Sequence, residues 1–300
     1  MSKWNASRIA DQNGRVVVIT GSTSGIGQEA SRVLAGKNAR VVLAVRNTRK
    51  GKTVAAGIKQ EFSGADIDVR ELDVSSLESV KAFAEAFAND YDRLDVLINN
   101  AGIMMCPFAR TADGFEIQMG TNHLGHFALT GRLLPMLKQT EGSRVVSVSS
   151  FGHKAGNIDF DDLNWEQRKY DTNKAYADSK LANLYFTYEL ARRAEGSGGN
   201  PLATAAHPGY TATDLQRHSA LWNFMNRFWA QDIPTGALPT LRAAFDPEVA
   251  AGNYYGPSGF LEMRGAPVKV QSSKLSYDEN AAPKLWEISE KLTGVDFELP

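Results

Sequence analysis

The sequence has a single cysteine, Cys106, in 300 residues. An internal disulfide framework is therefore excluded, and so is a cysteine-rich zinc or iron–sulfur site. A reducing compartment is the natural reading. Charge of one sign is also lacking: 33 Lys and Arg stand against 34 Asp and Glu, for a formal net charge of -1. A protein that binds the phosphate backbone needs a surplus of Lys and Arg, so nucleic acid is not an expected partner. No stretch reaches the ~18 apolar residues of a transmembrane helix. The opening Met-Ser-Lys-Trp-Asn-Ala-Ser-Arg lacks the apolar core of a secretory signal. These absences predict a cytoplasmic protein with no integral membrane segment. What remains is 43% hydrophobic and 22% charged, an ordinary globular composition that sets aside disordered, collagen-like and coiled-coil readings.

Short β-branched or apolar runs alternate with helical patterns along the chain. Strands are expected at 15–20, 40–45, 67–74, 95–100, 144–150 and 202–207. Helices are expected at 28–36, 50–61, 76–89, 115–138 and 173–194. In the third of these, Val80, Phe83, Ala84 and Phe87 share one face. Strands apolar enough to be buried on both faces, alternating with helices, predict an α/β fold: a Rossmann-type, doubly wound parallel sheet flanked by helices. No linker or internal repeat divides the series. Residues 1–300 are expected to form one dinucleotide-binding domain, with its core over 14–213. Residues 214–300 are expected to form a substrate lid and a closing segment, in which 253–267 reads as loop plus a short strand at one sheet edge.

Thr20 precedes Gly21-Ser22-Thr23-Ser24-Gly25-Ile26-Gly27, directly after the first strand and opening the first helix. Glycines there let the backbone turn tightly and approach a pyrophosphate, whose charge faces the helix N-terminus. At the end of the second strand, an NAD site usually has an acidic residue for the ribose hydroxyls. Arg46 stands there instead, with Asn47, Arg49 and Lys50 near. A guanidinium suits a 2′-phosphate, so NADP(H) is the expected cofactor. Asp73, before Val74 at the end of the third strand, is a candidate for the adenine amino group. Asn99-Asn100-Ala101-Gly102 follows the fourth strand, where paired asparagines can pin a turn beside a ligand crevice. Tyr176 and Lys180 lie on one helix face. An ammonium beside a phenol lowers its pKa from about 10, which suits Tyr176 to proton transfer. Ser149 and Ser150 end the fifth strand, where a hydroxyl can meet a substrate oxygen.

Together these residues resemble the short-chain dehydrogenase/reductase superfamily over residues 14–213. The wording of ITGSTSGIG, RNTRKG, TNHLGHFALT, SKLAN and HPGYTATDL is similar to the retinol dehydrogenase-like branch, and YYGPSGFLEMRG to its bacterial members. The resemblance implies a catalytic tetrad of Asn122, Ser150, Tyr176 and Lys180. In it the tyrosine protonates a carbonyl oxygen, the serine orients that oxygen, the lysine assists the tyrosine and binds the nicotinamide ribose, and the asparagine holds a water. It also implies that Ser22, Ile26, Asp73, Val74, Asn100 and Gly102 line the cofactor, with Pro208, Gly209 and Thr213 at its nicotinamide end. The implied activity is hydride transfer between NADP(H) and a small hydrophobic alcohol, aldehyde or ketone. Reduction of a carbon–carbon double bond, as in protochlorophyllide reductases, and a non-catalytic NADPH-sensing regulator are the alternatives. The intact tetrad favours an enzyme.

The charged insert DFDDLNWEQRKYDTNK separates Ser150 from Tyr176 and reads as a rim loop; it leaves the choice of Ser150 over Ser149 to strand-end alignment. The membrane-attached retinol enzymes carry an amino-terminal anchor that is not seen here, so a retinoid substrate does not carry over with the resemblance. The resemblance implies pairing through the Asn and Tyr-Lys helices, and so a homodimer or homotetramer, or a monomer if the insert blocks that face. His123 and His126 have no further ligands at metal-binding spacing and read as packing residues, so no metal is expected. His153 and His207 read as turn or core histidines at the border of the cleft. Cys106 lacks a base partner and reads as a buried thiol. Leu221, Trp222, Phe224, Met225, Phe228 and Trp229 read as an apolar lid that would favour hydrophobic substrates.

Overall fold

The structure, a computed structural model, describes residues 3–196, 198–211 and 231–299. Thr213 and the aromatic lid residues lie outside the described residues. The six expected strands form as β1 Val16–Thr20, β2 Arg40–Val45, β3 Ile67–Glu71, β4 Val96–Asn99, β5 Arg144–Val148 and β6 Leu202–Ala206. Their β-branched runs are buried on both faces at the centre, as in β1 and β4. The segment after residue 253 supplies two strands rather than one. β7 Tyr254–Pro257 pairs parallel with β6, and β8 Pro267–Lys269 runs antiparallel at the edge. The order β3-β2-β1-β4-β5-β6-β7-β8 reverses direction beside β1, which opens a crevice at the carboxyl ends of β1 and β4.

Helices α1 Gly25–Ala35 and α2 Thr48–Glu61 cover one face of the sheet, together with α7 Ile233–Phe245. The other face carries α3 Leu77–Asp90, α5 Gly125–Gln139 and α6 Thr172–Glu195. The expected helix over 115–138 is interrupted. A short α4, Ile117–Met119, leads into a π turn, Gly120–Leu124, and only then does α5 begin. The interruption has a local cause. Asn122 in the π turn binds the backbone of Ile103 in both directions, and Gly125 passes against the Val74 carbonyl. π turns often mark functional sites because they widen the helix around one residue.

The insert is not a bare rim. Its Leu163, with Ile158 just before it, is buried against Met119, Leu124, Leu181 and Tyr185, beside Leu285 of the last helix, α8 Ala281–Thr293. Its backbone is tied down by Asp162, which accepts from the N–H groups of Glu166 and Gln167. Helix α8 packs against α5 and α6, where Trp286 stacks on Phe186 and meets Phe127 edge-on. Among the described residues, no helix is long and apolar enough to cross a membrane.

Candidate active site

The loop after β1 can form only without side chains at its tightest points. Gly21 has φ +66, and a Cβ there would lie 2.8 Å from the Ala101 Cα. A Cβ at Gly27 would lie 2.5 Å from Asn100 Nδ2. Asn100 in turn donates to Thr20 O at 2.8 Å and more weakly to Gly21 O at 3.4 Å. The two strand ends are thus clamped together, and the N-terminus of α1 opens beside them. Ser22 is buried and donates to Ile19 O, while Thr23 and Ser24 are half-buried. Ser24 leaves α1 without a side-chain cap, and its first turn has no acidic residue. Free N–H groups and the helix dipole there suit an anion. Arg46 directly follows β2, with its side chain 78% exposed and Nη1 3.9 Å from Asp73 Oδ2. Asp73 turns its other oxygen to the N–H and hydroxyl of Ser75.

The four expected catalytic residues converge from three elements. Asn122, in the π turn, donates to Ile103 O and to Ser179 Oγ, both at 2.9 Å. Lys180 is buried and donates to Val148 O at 3.1 Å. Its ammonium approaches Gly102 so closely that a Cβ there would lie 3.3 Å from Nζ and 3.1 Å from Asn122 Oδ1. Ser149 and Ser150 part company at the strand end. Ser149 Oγ is buried and committed to Lys180 O at 2.8 Å. Ser150 Oγ accepts from Gly152 N at 3.1 Å, and Gly152 itself lies against the Tyr176 ring. Ser150 is therefore the hydroxyl on the Tyr176 side.

Burial dominates the titration of this group. The Tyr176 phenol is pushed up by burial, opposed by Ser150. The Lys180 ammonium is pushed down to about 8 by the same cause. Lys180 Nζ is directed to Val148 O and lies over the Tyr176 ring, 5.9 Å from its centroid. The Tyr176 phenol is accordingly held neutral here. Pro208 O accepts from Thr211 Oγ1 and Gln231 Nε2, and Gly209 at φ +65 turns the chain there. Thr213 has no described placement. Cys106 is half-buried rather than buried, and its thiol is pushed up by burial and by Glu116.

Several contributors are invisible to motif reading. Glu262 ties distant segments together: its carboxylate accepts from His207 Nε2 at 2.9 Å and from Lys154 Nζ at 3.1 Å. It joins the turn at 259–264 to the segments after β5 and β6. Leu261 and Glu262 hold positive φ, +51 and +55, which is strain of the kind that collects at functional sites. Phe151, Phe260 and Leu261 are exposed along this rim. Elsewhere, buried Glu116 accepts from Tyr170 Oη, and Gln118 accepts from Met105 N, holding the 103–106 loop. Only the Gly-Phe-Leu-Glu turn composition offered a signal, and it said nothing about the partner of Glu262.

The family model described as short chain dehydrogenase matches residues 15–223. The chain belongs to the short-chain dehydrogenase family. It is retinol dehydrogenase-like, and an oxidoreductase. It is 40% identical to human retinol dehydrogenase 13 over 294 residues, covering 94% of this chain and 86% of that protein. It is similar to the crystal structure of an uncharacterized protein from Mycobacterium paratuberculosis, with TM-score 0.85, 43% identity, and 99% and 100% of the two chains covered. A Shigella flexneri short chain dehydrogenase complexed with NADP matches with TM-score 0.63 and 25% identity, over 82% of this chain and 98% of that one. The glycine cradle, the uncapped α1 and the Lys180–Gly102 approach fit a nicotinamide dinucleotide.

Three buried histidines predict acid sensitivity. Burial holds His123 down to about 3, and His126 and His153 to about 4. The unfolded chain takes up those protons near pH 6.5, which the folded chain refuses until about pH 4. Stability is therefore lost as pH falls through that window, by up to about 1.4 kcal/mol per unit for each group. The urea midpoint should drop clearly between pH 7 and pH 5. A midpoint that stays level would show that these imidazoles accept protons without penalty. Among the described residues, no group of acidic, histidine or cysteine side chains could hold a metal.

Proposed function

We propose that the protein transfers hydride between NADP(H) and a hydrophobic alcohol, aldehyde or ketone. The observation that carries the reading is the convergence of Tyr176, Ser150, Lys180 and Asn122 beside the glycine cradle at the carboxyl ends of the strands. Gly21 to Gly27, Asn100 to Gly102, Asp73 and Val74 would hold the dinucleotide, with Pro208, Gly209 and Thr213 at the nicotinamide end. Bound there, the nicotinamide supplies or takes the hydride. The chain's own residues do the rest. Ser150 Oγ orients the substrate oxygen. Tyr176 Oη gives that oxygen its proton in reduction and takes it back in oxidation. Lys180 and Asn122 keep the phenol supplied with protons and hold the sugar end of the cofactor. Phe151, Phe260 and Leu261 give the rim an apolar surface, which supports a hydrophobic substrate.

Arg46, standing where an acidic residue would select NAD, supports NADP. The Shigella relative with NADP bound supports it further. The test is oxidation of NADPH and NADH over a panel of aliphatic, aromatic and terpenoid carbonyls. NADPH should be preferred, and Arg46→Asp should reverse the preference by about 10- to 100-fold, as losing one or two charge-assisted hydrogen bonds implies. Equal use of both cofactors by the unaltered protein would overturn the assignment of Arg46. Tight NADPH binding without turnover on any carbonyl would overturn the reaction.

A further inference from the structure

His126 sits between the cofactor loop and the catalytic helices, and its hydrogen bonds leave it one tautomer. Thr20 Oγ1 accepts the N–H groups of Asn100 and Ala101, both at 2.9 Å. Both of its lone pairs are then used, and its own proton must go elsewhere. The nearest acceptor is His126 Nε2 at 2.9 Å; Ile98 O lies at 3.4 Å. Nε2 is therefore bare, and the imidazole proton is on Nδ1. Nδ1 faces the main-chain oxygen of Asn122 at 3.1 Å, which can only accept. The Asn122 side chain passes the connection on to Ser179 Oγ at 2.9 Å, and Ser179 Oγ donates to Tyr176 O at 2.8 Å. Thr20, His126, Asn122, Ser179 and Tyr176 are all buried.

The same device recurs at Ser150. His153 faces Ser150 O with Nδ1 at 2.6 Å and accepts Ser273 N–H on Nε2 at 3.0 Å. Each of these imidazoles holds the carbonyl of a proposed catalytic residue from one side and a distant segment from the other.

We propose that His126 is a positioning residue that sets the cofactor loop, through Thr20, in register with the helices carrying Asn122 and Tyr176. The proposal rests on the catalytic reading of those two residues, but its nucleotide end does not. Two substitutions separate the ends. An asparagine amide reaches where Nδ1 stands, and a glutamine amide where Nε2 stands. His126→Asn keeps the donor to Asn122 O and drops Thr20; His126→Gln does the reverse.

The experiment measures NADPH affinity and kcat at saturating NADPH for the full chain and both variants. It also records the histidine tautomers of the unaltered protein at pH 7 by long-range 1H–15N spectra. His126→Asn should weaken NADPH by about tenfold and lower kcat less. His126→Gln should lower kcat by about tenfold and weaken NADPH less. Each corresponds to one buried hydrogen bond. Parallel losses in both quantities for both variants would mean simple packing, and would overturn the proposal. So would a His126 that is charged or carries its proton on Nε2. If the unaltered protein turns over no carbonyl, the proposed reaction fails and the nucleotide arm still decides: NADPH affinity lower for Asn than for Gln sustains the link, and equal affinities end it. If either variant does not fold, the tautomer alone decides.

Discussion

Replacing Tyr176 with phenylalanine should lower kcat by about 10²- to 10⁴-fold, the range for losing a positioned proton donor. NADPH affinity should change little, because the removed hydroxyl is not among the groups that build the nucleotide cradle. The fold should tolerate the change: the ring is buried beside Gly152, and its phenol is held neutral by burial. Phenylalanine keeps the ring and leaves Ser150 Oγ its bond from Gly152 N. A neutral phenol is the form needed to protonate a carbonyl oxygen, so reduction should persist towards alkaline pH until Tyr176 ionises above its ordinary 10. Steady-state turnover and nucleotide titration on the same preparation make the check. Activity within a few fold of the unaltered protein would remove Tyr176 from the proton's path.

Gly125→Ala should cost about 3 kcal/mol of stability, the upper end of what forced overpacking produces. A Cβ there would fall on the Val74 carbonyl oxygen, deep inside van der Waals contact. Helix propensity alone predicts the opposite sign, since alanine is favoured over glycine by about 1 kcal/mol inside a helix. The obstacle is backbone, so relief requires the start of α5 to shift, and with it the π turn that holds Asn122. Loss of stability should therefore come with weaker NADPH binding at the Asp73–Val74 end. Gly57→Ala is the matched control. It lies exposed in α2 with nothing within 4 Å of its would-be Cβ, and should stabilise by about 1 kcal/mol. Urea unfolding of both variants decides the matter; a neutral Gly125→Ala would mean that the helix slides freely past the Val74 carbonyl.

What the chain disclosed by itself follows from the range of the forces involved. The six parallel strands were legible because runs such as Val16-Val17-Val18-Ile19 have only one stable burial, between two helical layers. The cofactor loop was legible because close backbone approach demands glycine at fixed places. The break at 120–124 was not, because it answers to Ile103 and Val74, which lie elsewhere in the sequence. The division of 253–267 into β7 and β8 was hidden for a related reason: strands that short owe their existence to pairing with β6 and with each other. The anchorage of the insert was hidden because its charges outnumber its apolar residues, while it is pinned by Leu163 and Trp165. At the site, residue types and order pointed to the tetrad. The separate duties of Ser149 and Ser150, and the tautomer of His126, depend on hydrogen-bond partners that no spacing encodes.

The way α8 lies over α5 and α6 bears on how the enzyme behaves in dilute solution. A protein that completes its core with a neighbour's helix loses structure as concentration falls, by mass action. Here Trp286 and Phe297 fill the space over Phe127 and Phe186 from within the same chain. The helices bearing Asn122, Tyr176 and Lys180 are therefore braced intramolecularly, at an effective concentration that dilution does not alter. The last twenty or so residues should therefore prove as necessary to the site as the motifs that announce it.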